Sequence, residues 1–110
     1  LIFITLFIFS SCEQKKKDDD WMVGGTLHNA KVREWKSADE KNKLATCADF
    51  IAKLKASKNE KYTSTEEMKA DAIDMKVCID EAVKGNIVDE NDVAEIAVGC
   101  EVMMDLLMPK

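Results

Sequence analysis

Apolar residues recur at spacings of three and four along most of this chain, the pattern of helices that bury one face. Leu44, Cys47, Ala48, Ile51 and Leu54 form one stripe, which predicts a helix over residues 38–56. The polar run SKNEKYTS, residues 57–64, ends it. A second stripe, Met68, Ala72, Met75, Ile79 and Ala82, predicts a helix over 65–84 that stops at Gly85-Asn86. The third stripe, Val93, Ile96, Ala97, Cys100, Met103, Met104 and Leu107, predicts a helix over 90–107, with Pro109 harmlessly beyond its end. Val32 and Trp35 belong to a shorter helix near 30–36. Capping residues stand at the expected starts: Asn29, the boxes Ser37-Ala-Asp-Glu40 and Ser64-Thr-Glu-Glu67, and Asp89 or Asn91. Short links favour antiparallel neighbours, so the expected fold is all-α, a small three- to four-helix bundle of up-and-down topology. Its core should hold Trp35, Leu44, Ile51, Met75, Ile79, Ile96 and Met103. With one Pro and four Gly, the chain lacks the turn residues of a many-stranded β fold.

The beginning of the chain does not follow this periodicity. Leu1 to Phe9 is almost wholly apolar, Ser10-Ser11-Cys12 follows, and a charged spacer, EQKKKDDD, comes next. A short apolar run closed by small residues reads as a secretory signal outside the fold. The residues Phe9 to Cys12 resemble the lipobox of bacterial lipoproteins, with Phe9 where Leu is usual. The resemblance implies cleavage before Cys12 and diacylglycerol on its sulfur. Residues 1–11 are then a cleaved signal, 12–25 the lipidated cysteine and a flexible tether, and 26–110 the helical domain. Neither Met nor a basic segment precedes the apolar run, so the signal is expected to continue upstream. Two alternatives stay open: a spanning helix, which needs about 20 apolar residues, and a plain secretory signal with an unmodified Cys12. Two or more acyl chains make attachment lasting, at about 0.8 kcal/mol per buried methylene. Glu13 follows the cysteine in place of Asp, which the resemblance associates with the outer membrane of a Gram-negative envelope.

Every charged residue lies at or after Glu13, so cleavage would leave the net charge at -5. An acidic chain with pI near 4.9 and no basic stripe is unsuited to nucleic acid. The charges of KKKDDD cancel, as in a solvated spacer, and the lysines could touch anionic headgroups. Gly24-Gly25 reads as a second flexible joint.

Beyond Cys12 the cysteines are Cys47, Cys78 and Cys100, one on each main predicted helix. Export to an oxidising compartment favours a disulfide, and an odd count leaves one thiol over. Helix rise places Cys47 roughly 14 Å from the end shared by the first two helices, Cys78 roughly 20 Å and Cys100 roughly 14 Å. Cys47–Cys100 is therefore the leading pair, with Cys78–Cys100 close behind. The alternative is three buried thiols packed as small hydrophobes. Cys78 with Met75, and Cys100 with Met103 and Met104, have the softness and spacing of a Cu(I) set, but methionines at helical spacing ordinarily fill cores. There is no CxxC or HExxH, and Asp89-Glu90-Asn91-Asp92 lacks the spacing and central Gly of a calcium loop. No metal site or cofactor is expected.

His28, the single histidine, reads as a residue that caps or packs at a helix entrance. Without a nucleophile or paired carboxylates beside it, it does not indicate catalysis, and the chain is not read as an enzyme. Trp35 reads as a core anchor, whereas Trp21, near the tether, suits either the core or a membrane interface. The stretch Thr46-Cys-Ala-Asp-Phe-Ile-Ala52 is similar to part of the small acid-stress periplasmic chaperones, a resemblance that implies a helical fold with one disulfide. Two functions follow as expectations. The first is a helical interaction or accessory module, held on a bacterial envelope membrane by lipid on Cys12 and serving an unidentified protein partner. The alternative is a periplasmic acid or stress chaperone.

Overall fold

A computed structural model describes residues 20–107 of the chain. Four helices follow one another: α1, Val32–Ser37; α2, Glu40–Ser57; α3, Thr65–Ala82; and α4, Val93–Leu107. The fold is all-α, with no sheet among the described residues. Ion pairs fix the directions of the helices. Glu40 and Lys43 at the start of α2 meet Lys76 and Asp80 near the end of α3, so these two run antiparallel. Lys58, just past the end of α2, reaches Glu101 and Asp105 near the end of α4, which returns α4 to the direction of α2.

The stripes meet in one core of Val32, Trp35, Cys47, Ile51, Ala72, Met75, Ile79, Val93, Ala97 and Cys100. Leu44 and Ile96 are partly buried against it. Two residues of the expected stripes differ. Met103 is 52% exposed, because α4 packs mainly against α3 and turns Met103 away from it. Ala82 is exposed at the last turn of α3, and Val83, the next residue, fills the core in its place. Trp35 is fully buried, and its Nε1 donates to Asp80 Oδ1 over 2.9 Å, which satisfies its one polar atom.

The helix ends follow from local hydrogen bonding. Ser64 caps α3 as expected: its hydroxyl accepts from Glu67 N, while Glu67 Oε1 accepts from Thr63 N. Asp39 caps α2 by accepting from Asn42 N, so the expected Ser37 cap lies two residues too early. The residue before α1 is Lys31, not Asn29, and its N–H is satisfied by Glu34 Oε1. Asp92, not Asp89 or Asn91, stands directly before α4, and Glu95 accepts its N–H. α2 closes with Asn59 at φ 59, so that Asn59 N and Glu60 N return to Ala56 O and Lys55 O.

Residues 20–31 lie along the bundle. Asn42, Thr46 and Asp49 form a polar row at successive turns of α2, and this row holds the segment. Asn42 Oδ1 accepts from Thr26 N, Thr46 Oγ1 accepts from Leu27 N, and Asp49 Oδ2 lies 2.6 Å from His28 Nε2. Gly25 is no flexible joint, since a Cβ there would lie 2.6 Å from Thr46 N and 2.8 Å from Ala45 C. Only glycine admits that approach to the α2 backbone. Further on, Val32 N donates to Asn91 O and Val93 N to Ala30 O, tying the start of α1 to the link before α4.

Candidate functional site

The candidate lipidation residue, Cys12, and residues 1–11 lie outside the described residues. Among the described residues no helix is long and apolar enough to cross a membrane. Trp21, at the domain end of the spacer, packs against the core, and Lys69 Nζ stands 5.8 Å from its ring centroid.

The three remaining cysteines divide as one bridge and one thiol. Cys78 and Cys100 form a disulfide that joins α3 to α4, with Cα atoms 5.9 Å apart. The favoured pairing Cys47–Cys100 is therefore corrected. Helix rise gives the level of a residue but not its azimuth, and Cys47 faces the Lys76–Asp80 end of α3. It is a free thiol, fully buried. Burial, reinforced by the Asp80 carboxylate, pushes its pKa up from 9.0 to about 12. Such a thiol is neither a nucleophile nor a ready metal ligand. The bridge also occupies the sulfurs of Cys78 and Cys100, which removes both thiolates from the considered copper set. No group of three or more His, Cys, Asp or Glu among the described residues could hold a metal ion.

His28 packs edge-on against Phe50, with ring centroids 5.9 Å apart, while Asp49 takes its Nε2. Asp49 and Phe50 belong to the Thr46–Ala52 stretch, whose Thr46, Cys47, Ala48 and Ile51 are buried. That stretch thus builds the core and receives the N-terminal segment.

A cleft of about 580 Å³ opens where the ends of α2 and α4 meet the second and third turns of α3. Ile51 and Met104 give it apolar surface. Tyr62 donates from its hydroxyl to Asp71 Oδ2 over 2.8 Å, and burial together with Asp71 raises its pKa. Lys55 Nζ lies 4.9 Å from the Tyr62 ring centroid and 3.5 Å from Glu60. Lys58 donates to both Glu101 and Asp105 over 3.0 Å, and these bonds raise its pKa. With Asp74, the lining carries five carboxylates against two ammonium groups.

No protein-family model, curated protein or solved structure matches this chain.

Beside the cleft, α4 presents a second feature. Val98, Val102 and Met103 are 57%, 54% and 52% exposed. Helical spacing places Met103 in the buried stripe and leaves Val98 and Val102 outside it, without marking them as a face. The signal was present: α4 carries apolar residues on nearly all sides, more than one buried stripe requires. The polar row Asn42, Thr46 and Asp49 was missed as well, although its four- and three-residue steps are themselves helical spacing.

Proposed function

We propose that this chain is a small envelope lipoprotein whose helical domain is an interaction or accessory module. Lipid on Cys12 would hold it on the outer membrane, facing the periplasm. The observation that carries the module is the outward face of α4, where Val98, Val102 and Met103 stand in solvent although the core is complete without them. Exposed apolar residues clustered on one element mark an interaction surface more often than residues scattered singly. Among the described residues the cysteine sulfurs do not suit nucleophilic chemistry, because Cys47 is buried and protonated and Cys78 and Cys100 are bridged. His28 is engaged by Asp49 and Phe50 and has no nucleophile beside it in the contacts it makes.

The anchor is supported by the apolar run ending in Ser10-Ser11-Cys12 and by the hydrophilic spacer behind it. The chaperone alternative calls for apolar surface that is released by acid, whereas the α4 face is open in the folded domain. The test is fractionation of cells carrying wild type or Cys12→Ser, followed by cross-linking in intact envelopes. Wild type should sediment with membranes and cross-link to a discrete partner, and Cys12→Ser should leave the membrane fraction or persist as precursor. Equal fractionation of both proteins would remove the anchor. A wild-type protein that suppresses client aggregation only in acid would favour the chaperone.

A further inference from the structure

The exposed face of α4 has a specific charge environment. The helix carries Glu95, Glu101 and Asp105 and no basic residue. Val98 and Val102, one turn apart, run beside the parallel row Glu101 and Asp105, which forms one wall of the acidic cleft. An apolar ridge therefore borders a recess with five carboxylates and two ammonium groups. Both ammonium groups are already committed, Lys55 to Glu60 and the Tyr62 ring, Lys58 to Glu101 and Asp105.

Gly99 lies on the same outward side. A Cβ there would meet nothing within 4 Å, so no neighbour within the chain requires glycine. In a helix interior glycine is less favourable than alanine, and it leaves a low point at which another backbone can approach. The adjoining Cys100 ties α4 to α3, so the face is fixed in advance and little ordering is needed on binding.

We propose that this face and cleft dock an amphipathic helix of a partner protein. The partner's apolar stripe would lie on Val98, Val102 and Met103, and its flanking Lys or Arg side chains would enter the cleft. Charge complementarity selects this occupant. A second copy of α4 would set carboxylates against carboxylates with no cation on either helix. The proposal deepens the interaction-module reading and rests on it, but it does not depend on lipid at Cys12.

The test uses two synthetic amphipathic helical peptides with the same leucine stripe, one flanked by lysines and the other by glutamates. Each is titrated into the isotope-labelled, disulfide-bonded protein while amide resonances are followed. The lysine peptide should move the resonances of Val98, Gly99, Val102 and Tyr62, and added salt should weaken its binding. Val102→Asp and Asp74→Asn should each weaken it roughly tenfold, a difference of about 1.4 kcal/mol. Unchanged circular dichroism will establish that these exposed-site variants are folded. Absence of binding, equal binding of both peptides, or shifts spread away from α4 would overturn the proposal. So would movement of the α4 resonances with protein concentration alone, which would identify a second copy as the occupant. All these outcomes leave the membrane assignment to the separate test on Cys12.

Discussion

Cys47 illustrates how burial decides what a residue can do. Its thiol has no exposed surface and keeps its proton to about pH 12. Alkylation of the native protein near pH 8 should therefore be at least about a hundredfold slower than alkylation in denaturant, where an ordinary thiol is partly ionised. The same shift has a sign in stability. The folded pKa exceeds the ordinary thiol value of 9.0, so this contribution is fully present below pH 9.0 and is lost as pH rises towards 12. Denaturant midpoints measured across that range should fall less steeply in Cys47→Ala than in wild type. Gly25 makes the opposite case, a residue defined by what it lacks. Gly25→Ala should destabilise the domain by about 1–3 kcal/mol, the cost of overpacking, measurable by urea unfolding. Neither role was legible from the residue alone. A buried cysteine looks like a bridged one in sequence, and close approach of Gly25 to α2 depends on a docking that no periodicity encodes.

At the scale of elements, the helices were legible because each carries a repeated stripe, and their ends were legible only in part. Ser64 was recognised because Glu67 stands three residues on and answers it. Ser37-Ala-Asp-Glu40 has the form of a capping box headed by Ser37, yet Asp39, inside it, makes the bond to Asn42. The disulfide needed information that helix rise does not contain, namely which way each cysteine faces. Its loop spans 22 residues, for which chain entropy gives about 3 kcal/mol of stabilisation. Cys78→Ser should lower unfolding free energy by about that amount and loosen α4 first, visible as faster amide exchange along Val93–Leu107.

The α2–α3 contact carries a pH dependence. Hydrogen bonds from Lys76 and Lys43 hold the Glu40 carboxyl below its usual pKa of 4.5. Its contribution is present above that value and lost as pH falls through the lower folded pKa. Because its side chain is 69% exposed, the effect is small. Glu40→Gln should flatten, modestly, the loss of stability below pH 4.5 as followed by thermal melts.

For the whole molecule, the all-α up-and-down bundle was legible because three stripes and short links admit few other arrangements. What was not legible is how residues 20–31 complete it, since their anchors on Asn42, Thr46 and Asp49 are polar and lie far away in sequence. The folded domain therefore extends back at least to Asp20, whose carboxylate pairs with Lys41, and the proposed membrane attachment at Cys12 lies upstream of it. The proposed role depends above all on that attachment. Its most direct test is the intact mass and N-terminal residue of the chain extracted from cell membranes with detergent. The membrane-module proposal predicts a chain that starts at Cys12 and carries the added mass of a diacylglyceryl group. A chain that retains residues 1–11, or one with an unmodified Cys12 recovered without membranes, would contradict it.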